Sequence, residues 1–403
     1  MRLRTLGSGL ELTELPAGCA GPAGELLEVM PDPDRALPAG WRDRPLGVWK
    51  YKEFLPHHEG RDPVTMGEGG TRLLDAPRLA EWVGVKRLQL KIEGDNPTGS
   101  FKDRGMTCAV SWAVGEGATQ LGCASTGNTA ASMAAYAARA GVGAAVLLPA
   151  GQVAIGKVAQ SLVLGARVLE VEGSFDDAMA LILELAEAGK LALLNSKNPI
   201  RLEGQKTLAY EILDQREAGG AAAPDRIVYP VGNAGNISAA HRALLDYQDA
   251  GLLGADVPRL TGIQAAGAAP VAAAIAAGAS EIDAVTAPET LATAIRIGRP
   301  VSAVKALRAI RETDGTATSV TDETITEAQG QIARLEGAFA EPASCASVAG
   351  LRALVQSGAV DASEEVVCVL TGNGMKDPSA AERLAAPPQR VAGTLDALLE
   401  ALA

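Results

Sequence analysis

The sequence predicts an α/β protein with parallel sheet and helices on both of its faces. Three observations carry that expectation. From residue 85 onward, apolar β-branched runs alternate with Ala-rich segments of helical character. The chain is 47% hydrophobic and 21% charged, as in an ordinary globular protein with a packed core. Only 3% of it is aromatic, so that core must be built from small aliphatic side chains. A length of 403 residues suits two or three domains, or one large two-lobed unit.

The elements follow in order. Short apolar runs bounded by Gly, Pro or polar residues read as buried strands. They lie at Leu88–Ile92, Gly143–Leu148, Arg167–Val171, Leu191–Asn195, Arg226–Val231, Leu260–Ala265 and Val366–Thr371. The longer Ala- and Leu-rich segments between them read as helices. They lie at Gly105–Val114, Thr129–Ala140, Ile155–Leu164, Phe175–Ala188, Gly204–Glu217, Ile237–Asp249 and Ser344–Ser357. Residues 1–60 are rich in Pro and Gly and weakly periodic, which predicts an extension packed on the main body. Residues 378–403 read as a short terminal helix.

Composition excludes several partners. Net charge is −12 and no long basic run occurs, so neither nucleic acid nor an anionic membrane is an expected partner. Five cysteines lie far apart with no CxxC pair, and three histidines form no triad, so no metal site is expected. Scattered thiols suit a reducing cytoplasm. No apolar segment follows Met1-Arg2-Leu3-Arg4, so no signal peptide is expected.

Four polar turns carry the chemistry. Asn96-Pro97-Thr98-Gly99-Ser100-Phe101-Lys102-Asp103-Arg104-Gly105 sets one lysine in a loop between a strand and a helix. A lysine held there can be desolvated, which makes it a nucleophile toward a carbonyl cofactor. Ala124-Ser125-Thr126-Gly127-Asn128-Thr129 either caps the helix behind it or offers donors to an anion. Gly232-Asn233-Ala234-Gly235-Asn236 joins strand to helix, the geometry that cradles a phosphate. It is neither a Walker A loop nor a GxGxxG turn. Thr371-Gly372-Asn373-Gly374 ends the last strand, where parallel sheets bind ligands, although TGNG is also a plain loop signal.

Together these segments resemble the threonine synthase family, in the tryptophan-synthase-β-like group of pyridoxal-phosphate enzymes. The likeness extends through Val64–Thr71, Asn195–Thr207, Gly262–Pro270, Ala292–Gly298 and Glu341–Ser344, in order, from about residue 45 to 380. The resemblance implies a two-lobed fold-type II enzyme with pyridoxal 5'-phosphate in the cleft. It implies a large domain of residues 61–100 and 201–385, a small domain of 101–200, the extension 1–60 and a C-terminal helix 386–403.

Roles follow by the same resemblance. Lys102 is similar to the lysine that forms a Schiff base with the cofactor and then moves protons. Asn128 looks like the partner of the ring hydroxyl, and Gly232, Asn233, Ala234, Gly235 and Asn236 like the phosphate cradle. Thr371 is similar to the residue facing the ring nitrogen. Ser125, Thr126 and Thr129 look like the substrate carboxylate turn. Ser196, Arg201 and Asn236, with Ser100 nearby, resemble the groups that take a substrate phosphate. The implied reaction turns O-phospho-L-homoserine and water into L-threonine and phosphate. A homodimer is implied, and a dehydratase or an enzyme for another phosphorylated or phosphonate amino acid is the alternative.

Departures from the family pattern are Arg72 after Glu68-Gly69-Gly70-Thr71, and Ala240-His241 in place of an aromatic pair. Cys19-Ala20-Gly21-Pro22 looks like the remnant of a cysteine pair, so no zinc is implied. An anionic substrate also needs a locally positive cleft in an acidic chain, expected from Lys102, Arg201, Lys206 and Lys376.

Overall fold

A computed structural model describes residues 1–151, 155–385 and 387–402. Residues 386 and 403, the ends of the expected C-terminal helix, lie outside the described residues. The chain opens with three short strands, β1 (Leu3–Thr5), β2 (Glu11–Leu12) and β3 (Leu27–Val29), paired in the antiparallel order β2-β1-β3. Elements of two or three residues are too short to show a period, so this sheet was illegible in a Pro- and Gly-rich segment. The segment reaches both halves of the molecule. The Lys305 amine donates to Leu27 O at 2.8 Å, and the Cys19 thiol to Leu193 O at 3.6 Å.

Next come β4 (Leu73–Asp75), α1 (Pro77–Val83), β5 (Arg87–Ile92) and α2 (Lys102–Gly115). A smaller lobe follows: β6 (Gln120–Ala124), α3 (Asn128–Ala140), β7 (Gly143–Pro149), α4 (Ile155–Val163), β8 (Arg167–Val171), α5 (Phe175–Glu187) and β9 (Ala192–Leu193). Its strands pair parallel in the order β8-β7-β6-β9.

The chain then returns through α6 (Pro199–Ala218), β10 (Arg226–Pro230), α7 (Gly235–Asp249), β11 (Arg259–Ala265), α8 (Pro270–Ala276), α9 (Ala303–Glu312), β12 (Ala317–Val320), α10 (Asp322–Glu336), α11 (Pro342–Gln356) and β13 (Glu365–Leu370). Two helices, α12 (Pro378–Leu384) and α13 (Leu395–Leu402), close it. The large sheet has the order β12-β11-β10-β13-β5-β4 and is parallel except for β4.

The two parallel-stranded sheets carry a core on each face, with β8 an exposed edge strand. One core of the large lobe joins its strands to α1, α10 and α11, and the other to α6, α7 and α9. In the small lobe, Met133, Tyr136 and Val146 lie on one side, and Ala145, Leu147 and Ile182 on the other. Helix α6 begins at Pro199, five residues before the expected Gly204, and Asn198 caps it by accepting from the Ile200 N–H at 3.0 Å. A proline at the first helical position and an Asn cap are start signals that an Arg- and Glu-rich sequence obscured.

A buried ion network fastens the start of α2. The Arg104 guanidinium bonds Glu93 at 2.6 Å and Glu211 at 2.7 Å, and Lys91 meets Glu211 at 2.8 Å. The two lysine and arginine charges hold the Glu211 carboxyl down at about 2, against the burial that pushes it up.

Candidate active site

The candidate residues gather at the carboxyl ends of the strands, where parallel sheets leave backbone groups free for ligands. The turn holding Lys102 follows β5, and Thr371 follows β13, its neighbour in the sheet. Those two turns are laced together. Phe101 N–H donates to Thr371 O at 3.0 Å, Asn373 N–H donates to Gly99 O at 2.9 Å, and Ser100 pairs with Gly372 between them. Lys102 is therefore held on a turn whose backbone has partners on the adjacent strand end.

The next residue locks the turn from beneath. The Asp103 carboxylate accepts from the Thr98 N–H and hydroxyl and from the Ser132 hydroxyl, all at 2.7 Å or less. The Lys102 amine lies 3.8 Å from the centroid of the Phe101 ring. Burial lowers it from 10.5 to about 7, aided by the Arg201 charge and opposed by Glu341. A lysine in that range has a usable neutral fraction near neutral pH.

Arg201 stands on the first turn of α6 and is 2% exposed. It donates to Leu194 O at 3.1 Å and to the Thr129 hydroxyl at 3.4 Å, and its Nε has no partner among the described residues. Burial lowers it to about 10, which leaves it charged at neutral pH. Asn195, absent from the expected site, fixes the Ser125 turn by accepting from the Ala124 N–H at 3.1 Å. Within that turn the Ser125 hydroxyl accepts from Gly127 N–H at 3.3 Å, and Ser125, Thr126 and Asn128 are half-buried.

The Gly232–Asn236 turn joins β10 to α7. Ala234 has φ 64°, and α7 starts without a side-chain cap, so its first N–H groups are open to an anion. A Cβ on Gly232 would stand 3.0 Å from Ala294 O, so the backbone here is closely packed from behind. Asn233 donates to the Ser196 hydroxyl at 3.4 Å, which brings the turn to the small lobe. Asn236 is 6% exposed, and both of its amide atoms lack a partner among the described residues. The Ser100 hydroxyl and Gln205 Oε1 are orphaned in the same way. Buried polar groups are normally bonded, so this concentration marks a ligand site. Thr371 meets the Ser344 hydroxyl at 3.0 Å.

One sequence expectation needs correction. Lys206 does not add positive charge to the cleft. Its amine is buried against Glu203 at 2.6 Å and Asp246 at 2.7 Å, which neutralise it. Arg72 and His241 pair with Asp95 and Glu312, so neither departure is bonded to a candidate site residue. Sequence reasoning also gave no role to Glu341, although it stood within a quoted segment. Both of its carboxylate oxygens lie 3.2 Å from Asn128 Nδ2. An acid just before a helix-initiating proline was the available signal.

Comparison with known proteins shows the family. The family described as pyridoxal-phosphate dependent enzyme matches residues 64–372. The chain is 54% identical to a threonine synthase of Methanosarcina acetivorans, covering 88% of this chain and 86% of that one. It is 49% identical to a threonine synthase of Methanocaldococcus jannaschii, covering 91% of each. Among solved structures, a threonine deaminase isoform from Solanum lycopersicum has the same fold, with TM-score 0.64, 21% identity and 78% of this chain covered (82% of that one).

The residues present fit the family's cofactor. An uncapped helix start suits its phosphate, the orphaned Asn236 amide suits a polar ligand, and a desolvated lysine suits its aldehyde. The chain belongs to the pyridoxal-phosphate-dependent enzymes and, within them, to the threonine synthase family.

Proposed function

We propose that this chain converts O-phospho-L-homoserine and water to L-threonine and phosphate. The observation that carries this reading is Arg201. A buried guanidinium with no carboxylate partner among the described residues, near enough to the reactive lysine for its charge to act there, asks for an anion. Its planar fork suits a phosphate better than a point charge would.

Pyridoxal phosphate, when bound, supplies an electron sink. The chain's own residues do the rest. The Lys102 amine would hold the cofactor's aldehyde carbon and, once released, would take the α proton and then a β proton from the substrate and return protons at the γ and α carbons. Asn128 would hold the ring oxygen, and the Thr371 hydroxyl, which lies 3.0 Å from the Ser344 hydroxyl, would bond the ring nitrogen. A hydroxyl can bond that nitrogen without a carboxylate's tendency to protonate it. The N–H groups of Gly232, Asn233, Ala234, Gly235 and Asn236 take the cofactor's phosphate. Ser125, Thr126 and Thr129 orient the substrate carboxylate. Ser100, Ser196, Arg201 and Asn236 hold the substrate phosphate as it departs from the γ carbon, before water adds at the β carbon.

We assign residues 61–100 and 201–385 to the cofactor-binding domain and 101–200 to the small domain, with 1–60 and 386–403 as extensions. We place the enzyme in the cytoplasm as a homodimer. Five buried free thiols suit a reducing compartment. The test is direct: the purified, cofactor-loaded protein is given O-phosphohomoserine, and threonine and phosphate are measured. Equal amounts of both are expected, and the absence of either overturns the reading.

A further inference from the structure

We propose that Glu341 is a positioning residue of this site: its carboxylate fixes the Asn128 amide so that Nδ2 presents a hydrogen to the cofactor's ring oxygen. The inference rests on the reading that Asn128 faces that oxygen.

Glu341 flanks the start of α11, and its backbone N–H donates to Gly372 O at 3.1 Å. An acid at that position would ordinarily turn its side chain onto the helix's own N–H groups. This one makes no such cap. It turns instead toward α3, with both oxygens 3.2 Å from Asn128 Nδ2. A Cβ on Gly372 would lie 2.5 Å from Glu341 Oε1, so glycine at that turn makes room for the carboxylate. Glu341 is 6% exposed. A buried acid that gives up a helix cap for a distant amide has a use beyond local stability.

That use follows from donor and acceptor chemistry. An asparagine amide can be turned either way, and its neighbours decide which. An ionised carboxylate only accepts, so it selects the orientation with Nδ2 toward itself. Nδ2 carries two hydrogens. One goes to Glu341, and the other is left for the ring oxygen, which is then favoured in its ionised form. A neutral amide in place of Glu341 can donate as well as accept, so the selection is lost.

Burial raises the Glu341 carboxyl above the ordinary carboxylate value. The Asn128 amide, Lys102 from the start of α2 and Lys376 beyond β13 pull it back down, while Asp377 adds to the rise. Lys102 feels Glu341 in return.

The test is a pH titration of the visible absorption of the cofactor-loaded protein, for wild type, Glu341→Gln, Glu341→Asp and Asn128→Ala. The expected result is a midpoint displaced by about one pH unit or more in Glu341→Gln, in the same direction as in Asn128→Ala. Glu341→Asp restores part of the displacement. A kcat loss of roughly tenfold should accompany Glu341→Gln, with KM changed far less. Should Glu341→Gln fail to hold the cofactor, Glu341→Asp against wild type carries the comparison, and a superposable titration there overturns the proposal. A Glu341→Gln titration superposed on wild type, while Asn128→Ala moves, overturns the proposal alone. An unmoved titration in Asn128→Ala overturns the Asn128 reading and this inference with it.

Discussion

Gly105 and Gly204 lie where α2 and α6 cross, and each faces the other helix's main chain. A Cβ on Gly105 would stand 2.6 Å from Arg201 O, and one on Gly204 would fall on Arg104 O. Lys102 begins the first helix and Arg201 stands on the first turn of the second. The two glycines thus set how near the reactive amine comes to the guanidinium. Gly204→Ala puts a methyl against backbone, which cannot swing aside as a side chain can. A loss of about 3 kcal/mol in unfolding free energy is expected, the upper part of the overpacking range. Activity should fall by more than the folded fraction explains. Denaturant unfolding measures the first, and kcat per folded molecule the second.

The lysine's lowered pKa gives a pH dependence with a definite sign. Lys102 titrates near 7 in the fold and near 10.5 when unfolded. Between those values the unfolded chain binds more protons, so this group's contribution to apo-protein stability rises with pH from about 7 to about 10.5. Lys102→Met should remove that slope. The rate of cofactor attachment should climb about tenfold per pH unit below 7 and level above it, because only the neutral amine attacks. Chemical denaturation across pH and stopped-flow absorbance check the two parts.

Arg201 carries an opposite pair of expectations. Its charge is buried without a carboxylate partner among the described residues, so Arg201→Met should leave the apo-protein at least as stable as wild type. The same change should weaken turnover of the phosphorylated substrate by about 2–4 kcal/mol in kcat/KM, the loss of a buried charge-assisted contact. Arg201 also helps to lower the Lys102 pKa, so the pH midpoint of cofactor attachment should move upward in this variant. An enzyme that used no substrate phosphate would lose kcat/KM only through that pH shift.

How much of this was legible in the sequence depended on distance along the chain. The Lys102 turn and the Gly232–Asn236 turn were legible because a strand, a turn and a helix start stand within a dozen residues. The Glu341–Asn128 contact spans 213 positions, and nothing in either local segment announces the other. Of the two carboxylates that pair with Lys206, Glu203 stands three positions before it, while Asp246 arrives from α7, 40 positions on. Strands β4 and β12 have three and four residues, too few to display a period of two.

The Arg104 network predicts a structural failure distinct from a chemical one. Arg104→Met leaves Glu93 and Glu211 buried with fewer positive partners, Lys91 being the one that remains on Glu211. Breaking one member of such a cluster is expected to destabilise by about 3–5 kcal/mol. The loss should be smaller at acid pH. Glu211 titrates near 2 in the fold and near 4.5 when unfolded, so its stabilisation is full above the unfolded value and lost as pH falls toward 2. Urea midpoints for both proteins at pH 7 and pH 4 provide the comparison.

Ala234 is the left-handed residue at the head of α7, with φ 64° and ψ 5°. A non-glycine residue there costs about 1 kcal/mol or more, since its Cβ crowds the following carbonyl. Glycine removes that strain but loses more freedom on folding, by about 0.5–1 kcal/mol. The two effects nearly cancel, so Ala234→Gly should change apo-protein stability by less than about 1 kcal/mol. Ligand binding should respond differently. The turn must hold Gly235 and Asn236 with their N–H groups converging, and alanine restricts the backbone to conformations near that arrangement before any ligand arrives. Glycine widens them, so cofactor affinity should fall several-fold while stability stays level. Equilibrium dialysis of pyridoxal phosphate against both proteins measures the first quantity and thermal melting of the apo forms the second. A parallel loss in both would assign Ala234 to folding alone.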